Sequence, residues 1–182
     1  MSHVYFDHNA TTQIDGRVLD AMLPWMRAQS GNPSSRHQFG RAAREAVAQA
    51  REQVARACGA QASQVVFTAS GTEANNLAIK GLAGHITHGQ ILSSAVEHPC
   101  VTRSAAAMRA LGHTSNSIPV GSDGKVDRTE MKAQLRLATS LVSVMLANNE
   151  SGVLQDVAEL AEIARAHGSL MHTDAVPSLI HI

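Results

Sequence analysis

Four segments carry side chains able to do chemistry: SGTEANN (Ser70 to Asn76), VEHP (Val96 to Pro99), ANNESG (Ala147 to Gly152) and HTDA (His172 to Ala175). Ser70 followed by Glu73 is a capping box, and that alone accounts for the Ser and the Glu. The same helix start leaves the N–H groups of Gly71, Thr72 and Glu73 free, where a phosphate is favoured. His98 offers a flat ring, Asn148 and Asn149 offer amides, and Asp174 offers a carboxylate. Each also has a plain structural reading: a turn histidine before Pro99, two loop-forming asparagines, a local cap. Together they supply a phosphate cradle, a flat ring, a polar amide and a carboxylate. That set suits a phosphorylated aromatic cofactor with a ring nitrogen. A carboxylate beside a pyridine nitrogen keeps it protonated, so the ring can act as an electron sink.

The elements that must position these residues follow from periodicity and breakers. A helix is expected from Arg17 to about Ala28, bent or restarted at Pro24, and SGNPSS reads as a loop. From Arg36 to Cys58, residues Ala43, Val47, Ala50, Val54 and Ala57 recur at helical spacing, and Gly59 stops the run. Thereafter strands and helices alternate. The strands are VVFT (65–68), QILSS (90–94), the weaker HTSNSIPV (113–120), SLVSVML (140–146) and SLMHT (169–173). The last helix, 156–168, has a capping-box-like start at Asp156 and Glu159, an inward stripe of Val157, Leu160, Ala161 and Ala164, and a stop at Gly168. Five strands alternating with helices predict an α/β fold with a mostly parallel sheet and helices on both faces. Ligands in such sheets sit outside the carboxyl ends of the strands, which is where the four segments fall.

Composition narrows the class. The 182 residues read as one domain large enough to bury a core, and no internal linker stands out. Apolar residues make up 44% of the chain but aromatics only 3%, so Ala, Val, Leu, Ile and Met must build the core. Fifteen basic residues cancel fifteen acidic ones, which argues against nucleic-acid and membrane-surface partners. With no signal pattern and no apolar stretch of about 18 residues, a soluble cytoplasmic protein is expected. Cys58 and Cys100 make no disulfide framework and fit a reducing compartment. His85 and His88 have an i, i+3 spacing, but no carboxylate or thiol nearby, so no metal is expected.

Several stretches carry a family resemblance, all in the same order: YFDHNATT, SGNPSSRHQFGR, VVFTASGTEANNLAIKG, SAVEHPCV, VSVMLANNESGVLQDV and HGSLMHTDAV. From Val4 to Val176 the chain resembles the NifS/IscS-type cysteine desulfurases, pyridoxal 5'-phosphate (PLP) enzymes of the class V aminotransferase group. The resemblance implies a PLP-dependent transferase fold of type I, with a large cofactor domain and a smaller one, working as a homodimer. It implies removal of sulfur from L-cysteine, leaving L-alanine. The sulfur is held as an enzyme persulfide for Fe–S cluster or thiocofactor assembly, with scaffold or sulfur-acceptor proteins as partners. Position by position, Gly71 and Thr72 match the phosphate-binding pair, and His98 the residue that stacks on the pyridoxal ring and assists proton transfer. Asn149 matches the amide near the ring hydroxyl, and Asp174 the partner of the pyridine nitrogen. Where the family usually has a cofactor-contacting Gln, this sequence has Pro177, which has neither an amide side chain nor an N–H.

Residues 1–182 then correspond to an N-terminal segment and an incomplete cofactor-binding domain, apparently truncated, with the small C-terminal domain absent. The family's cofactor-anchoring lysine belongs to a Ser-x-His-Lys segment downstream of the Asp strand. Lys80, Lys125 and Lys132 all read as solvated surface residues instead. The sulfur-accepting cysteine of the family is also downstream. Cys100 could be activated by His98, but a separation of two residues across a proline is a poor arrangement for proton transfer, so it is expected to be a small buried residue. The tail PSLIHI matches nothing in the family. Three readings follow: a desulfurase portion inactive by itself, a non-catalytic PLP-binding or pairing fragment, or a selenocysteine lyase or other class V relative.

Overall fold

A computed structural model of the chain describes residues 4–28, 30–82, 85 and 89–176. Pro177, the tail after it and most of the His85–His88 pair's segment lie outside the described residues. Two compact units are present, Met1–Phe67 and Thr68–Ile182. The boundary falls inside the run 65–68, which has no Gly or Pro to mark a linker.

In the first unit, α1 (Gly16–Arg27) opens on Asp15, whose Oδ1 accepts from the Arg17 N–H at 2.8 Å. It runs through Pro24 without restarting. None of its residues is buried, so water can satisfy the carbonyl that proline leaves unpaired. Helix α2 (Gln38–Ala57) starts at His37 and ends before Gly59, which takes a left-handed φ of 65°. Its expected apolar stripe is only partly covered. Ala43 is buried, but Val47 and Val54 remain 39% and 40% exposed. Periodicity selects a face; only a neighbouring element buries it.

The strand expected over 65–68 does not form. Val65 is extended, at φ −91° and ψ 125°, yet the segment joins no ladder. The Arg51 guanidinium instead donates to the Val65 carbonyl and lies over the Phe67 ring, 5.1 Å from its centroid. β-branched residues favour extension, but a strand also needs a partner edge, and none of the described strands supplies one.

In the second unit, α3 (Gly71–Gly81) is followed by β1 (Gln90–Ser94), α4 (Pro99–Ala107), β2 (Thr114–Ile118), α5 (Arg128–Gln134), β3 (Thr139–Ser143), α6 (Val157–Ala166) and β4 (Leu170–His172). The strands form one parallel four-stranded sheet in the order β2-β1-β3-β4. Alternation along β1 and β3 divides the core between the two faces. Ile91 and Leu141 point to one side, with Ile79 of α3 and Val101 and Ala105 of α4. Leu92 and Val142 point to the other, with Met131 of α5 and Leu160 and Ala164 of α6. The expected helices on both faces are therefore present.

Helix ends depart from the sequence reading in two places. Ser70 Oγ accepts from the Glu73 N–H at 3.2 Å, but the Glu73 carboxylate turns back to the Ala69 N–H at 2.6 Å, one residue earlier than a capping box requires. Asp156 makes no cap hydrogen bond. Its carboxylate is taken by Arg128 at 2.7 Å and Lys125 at 3.2 Å, cations that outcompete a neutral N–H. The stop at Gly168 holds, with φ 75°.

Candidate active site

The chain order reverses direction across the sheet between β1 and β3, because the connection from β2 crosses over β1 to reach β3. Ligands bind at such a switch point, outside the carboxyl ends of the strands. Here a cleft of about 770 Å³ opens, lined by Glu97, His98 and Pro99 after β1, and by Asn148, Asn149 and Glu150 after β3. His98 and Asn149, two of the residues singled out by sequence, face one space.

His98 caps α4: its Nδ1 accepts from the Cys100 N–H at 3.1 Å. That bond makes Nδ1 an acceptor and leaves the proton of the neutral ring on Nε2. The same cap places Nδ1 2.9 Å from Cys100 Sγ. The spacing across Pro99, read from sequence as unsuited to proton transfer, is therefore in direct contact. The reason is that an N-cap side chain curls back onto the first turn it caps. Cys100 itself is half-buried.

Asp174 is 5% exposed, and its carboxylate is held from two directions. Oδ2 accepts from Asn75 Nδ2 at 2.8 Å, and Oδ1 from the Val176 N–H at 3.0 Å. Asn75 also donates to Cys100 Sγ at 3.1 Å, so Asp174, Asn75, Cys100 and His98 form one connected set. Asn75 stands one turn into α3, and so ties Asp174 to the helix whose start carries Gly71 and Thr72. A side chain at Gly71 would come within 2.6 Å of Val176 Cγ2, so glycine is what lets the helix start abut the Asp174 turn. The first N–H groups of α3 have no intrahelical carbonyl to bond, as at any helix start.

A buried polar layer lies under the cleft. Glu97 Oε1 accepts from Ser94 Oγ at 2.7 Å and from the Met145 N–H at 2.6 Å, linking the ends of β1 and β3. Burial pushes the Glu97 carboxyl above its ordinary range, against the pull of the Ser94 hydroxyl, the Met145 N–H and the nearby Ser143 hydroxyl, and the charge of Asp174 pushes the same way as burial. Ser143 Oγ lies 2.8 Å from His172 Nδ1. Burial holds the His172 ring below its ordinary value, against the pull of Asp174. Asn148 fastens the loop after β3: its Oδ1 accepts from the N–H groups of Glu150 and Ser151, and its Nδ2 donates to the Val96 carbonyl at 3.1 Å. Sequence reasoning missed Asn75, Glu97, Ser143 and His172 as site residues. Asn75 left one signal, a poor helix former inside a helix.

Lys80, Lys125 and Lys132 are all exposed, as expected. Lys125 pairs with Asp156 rather than facing the cleft. Among the described residues no helix is long and apolar enough to cross a membrane.

A phosphate-favouring helix start, a buried carboxylate and a histidine ring at a parallel-sheet switch point agree with the family comparison. The aminotransferase class V family model matches residues 4–182, and the chain belongs to that family. Within it, the chain is similar to cysteine desulfurases of the NifS/IscS type. It is 43% identical to the cysteine desulfurase IscS of Dictyoglomus turgidum, over 98% of this chain and 46% of that protein. A solved NifS-like protein superposes with a TM-score of 0.90 at 35% identity, covering 96% of this chain and 49% of that one. A second solved structure, SspA in complex with cysteine, gives 0.88 at 34% identity, over 94% and 50% of the two chains. The chain thus spans about half the length of the relatives it matches. Class V aminotransferases and cysteine desulfurases are PLP-dependent.

Proposed function

We propose that this chain carries the phosphate-, ring- and pyridine-binding portion of a PLP site, in a protein that removes sulfur from L-cysteine. The carrying observation is the Asn75 link, which holds the buried Asp174 carboxylate against the start of α3 and beside the His98 turn. The residues present fit the cofactor. Gly71 and Thr72 offer N–H groups to its phosphate, the His98 ring offers a stacking face, Asn149 offers an amide, and Asp174 offers an acceptor for a protonated ring nitrogen. When bound, the cofactor supplies an electron sink for bond cleavage next to an amino acid's α-carbon.

The chain's own residues then have distinct tasks. Asn75 and the Val176 N–H orient the Asp174 carboxylate. The Cys100 N–H fixes the His98 ring so that Nε2, the edge away from the cap bond, can hold or release a proton. The Asn148 loop, through its bond to the Val96 carbonyl, holds the segment after β3 against the segment after β1.

The rest of the reading follows the family. Residues 1–182 belong to the larger, cofactor-binding domain of a homodimeric enzyme, whose products are L-alanine and sulfur passed onward as a persulfide toward Fe–S or thiocofactor assembly in the cytoplasm. Cysteine as substrate is supported by SspA, solved in complex with cysteine. None of Lys80, Lys125 and Lys132 becomes the covalent anchor, since all three are exposed and Lys125 is paired away from the cleft.

The test is a titration of the chain with PLP, followed by absorbance, with Asp174→Ala and Gly71→Val as variants. Saturable binding that both variants weaken, and that inorganic phosphate competes away, is expected. Borohydride reduction followed by peptide mass spectrometry should find no pyridoxyl adduct specific to one lysine. Binding indifferent to both variants, or a single labelled lysine, overturns the reading.

A further inference from the structure

Glu97 is the buried titratable group that the proposed chemistry leaves unused. It is 8% exposed, borders the cleft, and immediately precedes His98. Its two oxygens are unequal. Oε1 accepts from Ser94 Oγ and from the Met145 N–H, while Oε2 is buried and has no hydrogen-bond partner among the described residues. An ionised carboxylate in this position would leave Oε2 in a dry site without a hydrogen bond, with the Ser143 hydroxyl close to the carboxyl but no cation facing it among the described residues, a costly arrangement. A protonated carboxyl keeps both Oε1 bonds and places its hydrogen on the otherwise orphaned oxygen.

We propose that Glu97 is a positioning residue: carrying its proton on Oε2, it clamps the end of β1 to the loop after β3 and so sets the His98 ring against the cleft. The geometry supports this on both sides. Ser94 is the last residue of β1, Met145 lies two residues past β3, and the Asn148 to Val96 bond ties the same two segments one step further out. Ionisation places an uncompensated charge between the strand ends, and the clamp loosens. The burial of Glu97 shifts its titration in the direction that keeps the proton on. The titratable groups around it are His98 and Cys100 at the start of α4, Glu150 across the cleft, and His172 and Asp174 at the end of β4. All of them remain when Glu97 alone is replaced. The existence of the proton is independent of the cofactor reading; only the effect on cofactor binding rests on it.

Infrared difference spectroscopy of the chain without cofactor, parent against Glu97→Gln, tests the proton directly. Followed upward in pH from the ordinary glutamate value of 4.5, the parent should keep a protonated-carboxyl C=O band that E97Q lacks. Urea unfolding then tests the clamp. The folding constant of the parent relative to E97Q should fall with rising pH, by up to about tenfold per pH unit, between that ordinary value and the raised one. PLP affinity should show the same pH-dependent loss in the parent and not in E97Q, while Glu97→Leu, which keeps no acceptor for Ser94 and Met145, should weaken binding at every pH. A parent without the band, or an E97Q variant with the parent's pH slope in folding, overturns the proposal. Should the band and the folding slope appear while neither protein binds PLP, the proton and clamp stand and the cofactor reading fails.

Discussion

The Asn75 amide gives one hydrogen to Asp174 Oδ2 at 2.8 Å and the other to Cys100 Sγ at 3.1 Å, so one helix side chain joins the turn after β4 to the first turn of α4. Replacing it with alanine leaves a buried carboxylate oxygen and a half-buried sulfur each short of a donor. Asn75→Ala is expected to cost about 1–3 kcal/mol of stability. Asn75→Asp, which sets a second carboxylate against Asp174, should cost more. Urea unfolding of the two variants checks the order, and an alanine variant as stable as the parent would refute the role given to this residue.

His172 gives the chain an acid-side weakness. Its folded value lies below the ordinary 6.5, chiefly because the ring is buried. The neutral ring's contribution to stability is therefore present above that ordinary value and lost as pH falls through the folded one. Glu97 works in the opposite sense: its contribution is full below 4.5 and is lost as pH rises through its raised folded value. His172→Asn should flatten the acid side of the stability profile only. A profile that it leaves unchanged would show that the ring is not buried neutral.

The two cysteines should separate in reactivity. Cys58 is exposed, whereas Cys100 is half-buried and engaged by His98 and Asn75. Iodoacetamide should label Cys58 first, and bound PLP should slow labelling of Cys100 without touching Cys58. Peptide mass spectrometry over a time course reads both rates. Equal protection of the two thiols would place the cofactor away from His98.

Two further substitutions contrast core with surface. Leu141 is 1% exposed between β1 and β4, on the face covered by α3 and α4, so Leu141→Ala should cost about 2–5 kcal/mol. Asp156 pairs with Arg128 and Lys125, but all three side chains are close to half exposed. Asp156→Ala should therefore cost about 0–1 kcal/mol, despite its two ion pairs. Thermal or urea denaturation distinguishes the two. A large Asp156 effect would mean that its loop holds more of the core than the structure indicates.

Much of the fold was legible along the chain. The alternation of short apolar runs with helical periods located β1, β3 and α6 and predicted a parallel sheet covered on both faces. The run 65–68 was misread because β-branched residues report a preference for extension, whereas a strand also requires a neighbour's free edge. The α2 helix and its stop at Gly59 were read correctly; what spacing left open was how far its stripe is covered, since Val47 and Val54 stay 39% and 40% exposed. Within the site, His98, Asn149, Asp174, Gly71 and Thr72 could be named because each follows a strand or opens a helix. Asn75 and Glu97 could not be assigned roles. Their importance comes from partners 99 and 48 residues away, and no local pattern encodes those distances.

By itself the sequence determined that the His98, Asn149 and Asp174 segments follow strands and that Gly71 and Thr72 open a helix, because periodicity and breakers act over a few neighbours. It also determined the family, because six motifs recur in order. Only the tertiary structure decided that the His98 cap turns back onto Cys100, that Asn75 bridges to Asp174, and that one oxygen of Glu97 is left without a partner. Those are consequences of close packing at a strand switch point, where segments distant in the chain must satisfy one another's hydrogen bonds once water is excluded.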